Sequence, residues 1–238
     1  MTGRKDLDKS IVVQLERIDP SSERLKIMEA WLDEAERERA ARFHFPEDRA
    51  RFAFGRGLAR RYLSDILSVR DPKLVKFALS DRGRPTLAND ESIQFSITHS
   101  KELVAVAMTR NARVGIDLEC MERKLNLEGL AERILSAEDF RGFEELPEQE
   151  KEAAFFRVWT RKESYLKATG EGITDALKEI SVSMRAEEVS FIADGRDKAG
   201  AKKWRMHSLA LPADYMGCVA CDDVTKSLNL WPVPCLWR

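Results

Sequence analysis

Val114-Gly-Ile-Asp-Leu-Glu119 is the stretch from which the rest of this chain is read. Val114, Ile116 and Leu118 point one way and Asp117 and Glu119 the other, the period-two pattern of a strand. Two carboxylates two apart on one strand face stand roughly 6–7 Å apart at the backbone, near enough to share one hard cation. Upstream, Ile93-Gln-Phe-Ser-Ile-Thr98 and Leu103-Val-Ala-Val-Ala-Met108 are strand-like and joined by tight connections. Together the three predict an antiparallel meander.

Downstream, Trp159-Thr-Arg-Lys-Glu-Ser-Tyr-Leu-Lys167 has helical spacing, with Trp159, Glu163 and Lys167 on one stripe. If this helix faces the 114–119 strand, three carboxylates and one ammonium converge, a set suited to a magnesium-bound diphosphate. Taken singly, each segment has a plainer account. Acidic residues alternate with aliphatic ones on many exposed strands, and i, i+4 Glu–Lys pairs stabilise many helices.

The wider pattern is of helices followed by a small sheet, twice. A strand over Ile11–Glu16 precedes a helix opened by Pro20-Ser-Ser-Glu, with Ser21 or Ser22 as cap. A charge-rich helical run spans Trp31–Phe45, and Pro46 opens a helix to about Val69. Leu74–Leu79 reads as a strand entering the turn Ser80-Asp-Arg-Gly-Arg-Pro85. The second half predicts helices over 127–134, 137–144 and 148–169, then strands near 179–184, 204–210 and 216–222. The expectation is an α+β protein of two similar halves, each of helices on a small, mainly antiparallel sheet, divided as 1–115 and 116–238. The division places the paired carboxylates at the seam.

Composition narrows the function classes. With 238 residues, 43% of them hydrophobic, the chain can bury a substantial core. Forty basic and forty-one acidic residues leave a net charge of −1, so no global field points to nucleic acid or membrane as a partner. Four cysteines, no apolar leader and no membrane-length apolar run predict a soluble, cytoplasmic protein. Cys218-Val-Ala-Cys221 stands without a second pair or adjacent histidine, which argues against zinc. The Trp231, Pro232, Pro234 and Trp237 tail reads as packing.

Further constellations suit an anionic ligand. In Phe95-Ser-Ile-Thr-His-Ser100, His99 sits at a strand end between hydroxyl residues, where side chain and amides can meet phosphate; alternatively the hydroxyls only satisfy the turn. Gly83-Arg-Pro85 projects Arg84 from a stiff turn. Arg37 to Arg70 is dense in arginine, including Arg39 and Arg51, as solvated helix faces or as a basic surface for an anion.

In order, Gly83–Pro85, Phe95–Ser100, Val114–Glu119 and Phe155–Gly170 resemble the signature of the 4′-phosphopantetheinyl transferases, of the larger, Sfp-like, monomeric two-half class. The resemblance runs from about Trp31 to the last strands. It implies transfer of the phosphopantetheine arm of coenzyme A to a serine of an apo acyl, peptidyl or aryl carrier protein, with release of 3′,5′-ADP. Such carriers serve fatty-acid, polyketide and non-ribosomal peptide synthesis.

Position by position, the resemblance implies that Asp117, Glu119 and Glu163 ligate Mg2+, with Mn2+ an alternative. Glu163, Asp139 or a water is the base for the serine. Lys167 binds the diphosphate and offsets charge on the leaving group, with Lys162 beside it. His99, Ser100, Arg84, Arg39 and Arg51 contact the coenzyme, the last two near its 3′-phosphate. The resemblance favours Leu125–Leu135 as the dock for the carrier, with Leu127, Leu130 and Ile134 on one side; alternatively these three face the core.

Three departures from the family pattern stand out: Ser96 and Thr98 replace the usual Asn and Ser, Asp139 replaces a glutamate, and Arg37 and Arg39 fall near lysine positions. A silent binding module would have lost a carboxylate or Lys167, and neither is lost. A phosphohydrolase using water would release 3′,5′-ADP without a carrier.

Overall fold

The computed structural model describes residues 7–122, 126–172, 175–186, 189–196 and 203–230. They form two compact units, one built from the chain up to Asn111 together with the strand residues from Leu228, the other from Ala112 to Ser227. The sequence division at 115/116 differs from this in two ways. The units part at Asn111, and the chain returns to the first unit near its end.

The first unit holds strand β1 (Ser10–Arg17), helices α1 (Glu23–Ala30), α2 (Glu34–Ala41) and α3 (Pro46–Leu67), and strands β2 (Phe77–Leu79), β3 (Pro85–Leu87), β4 (Ile93–Ser100) and β5 (Leu103–Arg110). The second holds β6 (Val114–Cys120), helices α4 (Leu127–Ile134), α5 (Ala137–Glu144) and α6 (Glu148–Thr169), and strands β7 (Ile180–Val182), β8 (Phe191–Asp194), β9 (Arg205–Ser208) and β10 (Tyr215–Cys221). Strand β11 (Ser227–Leu230) closes the first unit's sheet, whose order is β11-β1-β5-β4.

Among the described residues, then, the molecule is α+β, with mostly antiparallel sheets as expected. The meander is not. β4 and β5 do pair as a hairpin, but β5's other neighbour is β1, and β6 leaves to pair with β10 in the order β6-β10-β9. Sequence adjacency favours hairpins, and only the long-range burial of β1 decides otherwise: all but its last residue are buried, including Gln14 and Glu16.

Each unit rests a 22-residue helix on its sheet. α3 begins at Pro46, whose missing N–H costs nothing at a helix start, and ends at Ser68 in the left-handed region (φ 58°). α6 follows Pro147 and ends at Gly170 (φ 77°), where a glycine relieves the Cβ clash. α2 is shorter than the expected Trp31–Phe45 run. Asp33 caps it by a capping box with Glu36, which stops the helix from starting earlier. Leu74–Leu79 is a strand only from Phe77, preceded by a 3-10 turn over Pro72–Leu74.

Candidate active site

Gly115, Asp117 and Glu119 share one face of β6 by strand alternation, and that face meets α6. The approach is backbone to backbone. A Cβ on Gly115 would stand 2.0 Å from the Ser164 carbonyl oxygen and 2.5 Å from the Ala168 nitrogen. No side chain larger than hydrogen fits there without moving α6. As the strand advances from Gly115 to Glu119, its contacts step back along the helix. Lys167 Nζ donates to Asp117 Oδ1 at 2.6 Å, and Trp159 Nε1 reaches Glu119 Oε1 at 3.4 Å.

Glu163 lies on the same stripe of α6, between Trp159 and Lys167. Asp117 and Glu163 are 4% and 5% exposed, so their charge is poorly solvated. Burial pushes the Glu163 carboxyl up to about 7; Asp117 and Glu119 add to the rise and Lys167 opposes it. Its Oε1 is buried with no hydrogen-bond partner. Asp117, Glu119 and Glu163 stand beside the ammonium of Lys167, and all three offer hard oxygen donors. The donor chemistry and the uncompensated Glu163 oxygen fit a divalent cation. The three carboxylates are not drawn into a tight cage. Among the described residues, the group whose candidate ligand atoms all lie within 4.8 Å of one another is Cys120, Glu122 and Asp214, which the sequence reading did not single out.

Lys162 and Asp139 are placed differently from expectation. Lys162 is fully buried, and its Nζ donates to the carbonyls of Ile134 (2.8 Å) and Leu177 (3.0 Å) and pairs with Asp139 Oδ2 at 3.3 Å. Burial brings this ammonium down to about 8, with Asp139 opposing the shift. Two carbonyls accept from the ammonium and Asp139 stands beside it as an ion-pair partner, so Lys162 is engaged in the interior and not turned toward a coenzyme. Asp139 is occupied by the same pair, and its amide is held by the α5 cap Ser136. Asp139 also lines an open cavity of about 680 Å³ with Arg157, Ser183 and Met184, whose lining does not include Asp117, Glu163 or Lys167.

On α4, Ile134 belongs to the second unit's core, and Leu127 and Leu130 are half-buried against it, so part of their apolar surface stays exposed. Leu125 lies outside the described residues, as does the Trp231–Trp237 tail.

In the first unit the expected coenzyme contacts sit on a common frame. Arg84 Nη2 donates to the Phe95 carbonyl at 3.2 Å, tying the Gly83 turn (φ 77°) to β4. Arg51 Nε donates to the Lys101 carbonyl at 2.7 Å, just past Ser100, and its Nη1 pairs with Asp48 at 2.6 Å. His99 is exposed at the end of β4, while Ser100, Ser96 and Thr98 are buried. The hydroxyls at 96 and 98 therefore belong to the interior of the hairpin, whatever the family pattern has there. Arg39 is exposed on the last turn of α2, beside the Gly83 turn.

Comparison with known proteins identifies the family. Residues 113–220 match the family described as the 4′-phosphopantetheinyl transferase superfamily, and residues 16–111 match a 4′-phosphopantetheinyl transferase N-terminal family. The chain is 38% identical over 174 residues to the 4′-phosphopantetheinyl transferase HetI of a Nostoc species, covering 72% of this chain and 73% of that one. It is 29% identical over 178 residues to psf-1 of Bacillus pumilus (74% and 75% covered) and 27% over 158 residues to Sfp of Bacillus subtilis (66% and 69%). The chain belongs to the 4′-phosphopantetheinyl transferase superfamily, in its Sfp-like two-part class. Its enzyme class is accordingly that of a 4′-phosphopantetheinyl transferase. Among the described residues no helix is long and apolar enough to cross a membrane.

Proposed function

We propose that this enzyme moves the phosphopantetheine arm of coenzyme A onto a serine of an apo carrier protein and releases 3′,5′-ADP. The observation that carries the reading is the convergence on α6 and β6 of Glu163, Asp117 and Lys167, one carboxyl held near neutrality beside one ammonium. The serine oxygen forms a bond to the phosphorus that bears pantetheine, and the bond from that phosphorus to the bridging oxygen breaks. Glu163 either takes the serine proton, directly or through a water, its pKa of about 7 in the metal-free chain suiting a base at neutral pH, or serves as the third ligand of the cation. Asp139 is the weaker candidate because Lys162 already holds it. Lys167 offsets the charge that develops on the 5′-phosphate of the departing 3′,5′-ADP.

Asp117, Glu119 and Glu163 are the residues we assign to Mg2+, or Mn2+ in its place, which when bound neutralises phosphate charge. Arg39, Arg51, Arg84, His99 and Ser100 are assigned to the nucleotide and phosphates of the coenzyme. Lys162 is reassigned from coenzyme contact to scaffold. The test is intact-mass analysis of apo acyl, peptidyl and aryl carrier proteins incubated with enzyme, coenzyme A and magnesium, with an EDTA control. A metal-dependent gain of about 340 Da, the mass of the arm moved in the phosphoryl step, is expected, and Asp117→Ala abolishes it. No gain on any carrier type, with 3′,5′-ADP released all the same, would turn the reading to a hydrolase.

A further inference from the structure

Arg39 is an exposed cation with an unusual form of support. Among the described residues no carboxylate pairs with it, and its guanidinium lies over the ring of Phe52, 5.5 Å from the centroid. A Cβ on Gly83 would stand 4.0 Å from Arg39 Nη1, so the head group borders the turn that carries Arg84. Phe52 is in turn fixed from within. It is 9% exposed, packs against Phe43 (5.5 Å between ring centroids), and meets the buried guanidinium of Arg56 at 5.3 Å. Arg56 lies 5.9 Å from the Phe77 ring, and Arg60 lies 4.3 Å from the same ring. Arg39, Phe52, Arg56, Phe77 and Arg60 thus form an alternating ladder of cations and rings.

The inner end of the ladder is neutralised and the outer end is not. Glu36 pairs with Arg56 (3.7 Å) and Arg60 (2.7 Å), and Asp33 pairs with Arg60 (3.2 Å). Glu36 is also one turn before Arg39 on α2, so the backbone under Arg39 is anchored to α3 by the same acid. A carboxylate would order Arg39 by consuming its N–H donors. An aromatic ring orders the guanidinium through its face and leaves the in-plane donors for an incoming phosphate. Ordering a long side chain in advance lowers the entropy that ligand binding must spend.

We propose that Phe52, fixed by Arg56, is a positioning residue that presents Arg39 to the 3′-phosphate of coenzyme A; this rests on the reading of Arg39 as a coenzyme contact made above. Phe52 acts through Arg39 and touches no reacting atom. Its effect therefore falls on substrates that carry the 3′-phosphate and on no others.

The experiment is steady-state kinetics of the full chain with coenzyme A and with 3′-dephospho-coenzyme A, for wild type, Arg39→Ala, Phe52→Leu, Phe52→Tyr and the Arg39→Ala/Phe52→Leu double variant. Phe52→Leu should raise KM for coenzyme A about two- to fivefold, the range an exposed cation–π contact supports, with kcat and the KM for the dephospho substrate unchanged. Phe52→Tyr keeps the ring face and should behave as wild type. In the Arg39→Ala background the leucine substitution should add nothing. Equal rises for both substrates, or no rise, overturn the role of Phe52 while Arg39→Ala still discriminates between them. An Arg39→Ala variant that treats the two substrates alike overturns the reading of Arg39 itself, and the proposal with it. Phe52→Met, closer in buried volume, serves the same test should the leucine variant not fold.

Discussion

α3 and α6 are both 22 residues long, and both bury charged side chains, yet they use them in different ways. On α3 the buried cations Arg56 and Arg60 meet Glu36, Asp33 and aromatic rings, so charge and stacking partners cancel within the unit. On α6 the cations Arg157, Arg161 and Lys162 are spent on main-chain carbonyls of other segments: Met184, Ser183 and Arg185 after the helix, and Ile134 before it with Leu177 after it. Next to Lys162 in the chain, Glu163 has no such partner for Oε1 and is pushed toward neutrality. What separates the two is the sign of the neighbours: the scaffold cations face carboxylates, rings or carbonyls, whereas Glu163 faces the carboxylates of Asp117 and Glu119 as well as Lys167. The basic run of the family motif divides on this line: Lys162 is framework, while Glu163 and Lys167 face β6.

The largest effect should come from breaking compensation. Lys162→Met strands Asp139 and two buried carbonyls, and removing one partner of a buried pair costs about 3–5 kcal/mol. Denaturant unfolding measures it, and the Lys162→Met/Asp139→Asn double variant should recover part of the loss. A cost below about 1 kcal/mol, the scale of an exposed pair, would mean that Lys162 is not scaffold.

Removing an uncompensated charge should do the reverse. Unfolded, a glutamate titrates near its ordinary 4.5, and in the folded chain Glu163 titrates near 7. Native stability from this group is complete below pH 4.5 and is lost as pH rises through 7, because the unfolded state then ionises more readily. Glu163→Gln cannot ionise. In EDTA at pH 8 it should be more stable than wild type by roughly 2–3 kcal/mol, a gap that closes toward pH 4. Thermal melts across that range read the effect, and a variant less stable than wild type at pH 8 would contradict the burial argument. Transfer activity should fall even as stability rises.

Gly115→Ala tests the spacing between β6 and α6. The neighbours of the new Cβ are backbone atoms that cannot rotate away, so the helix must shift. Overpacking of this kind costs about 1–3 kcal/mol, and moving Glu163 from Asp117 should lower kcat more than it lowers stability. Folded, fully active Gly115→Ala would show that the close approach is dispensable.

Much of this was open to reading in the chain itself. The alternation of Val114–Glu119, the stripe of Trp159, Glu163 and Lys167, and the limits of α3 and α6 at Pro46, Pro147 and Gly170 are all local signals. Partners far apart in sequence were not legible. Nothing local tells that β6 leaves β5 for β10, or that β1 takes the vacated edge, because hairpin propensity favours the nearer strand. The short strands β3, β8 and β11 carry too few residues for a periodic signal. Lys162 beside Glu163 looks as functional as its neighbour until Ile134, Leu177 and Asp139 are seen around its ammonium. Gly115 likewise reads as part of a motif, and only the 2.0 Å approach to Ser164 shows why a glycine is needed.

The smallest effect should separate two adjacent arginines of α3. Arg60 is 1% exposed and pairs with Glu36 and Asp33, whereas Arg61 is 44% exposed and pairs with Asp65 at 2.5 Å, one turn on. By distance alone the Arg61 pair is the closer one. An exposed i, i+4 pair, however, is screened by water and must order two long side chains, so its worth is about 0.3–0.5 kcal/mol. Arg61→Ala should therefore shift stability by no more than that, and less still in high salt. Arg60→Ala leaves Glu36 buried against Arg56 alone and should cost several-fold more by the same measurement. Equal losses for the two variants would mean that distance, and not solvation, sets the value of charge pairs in this protein, and the contrast between α3 and α6 would lose its physical basis.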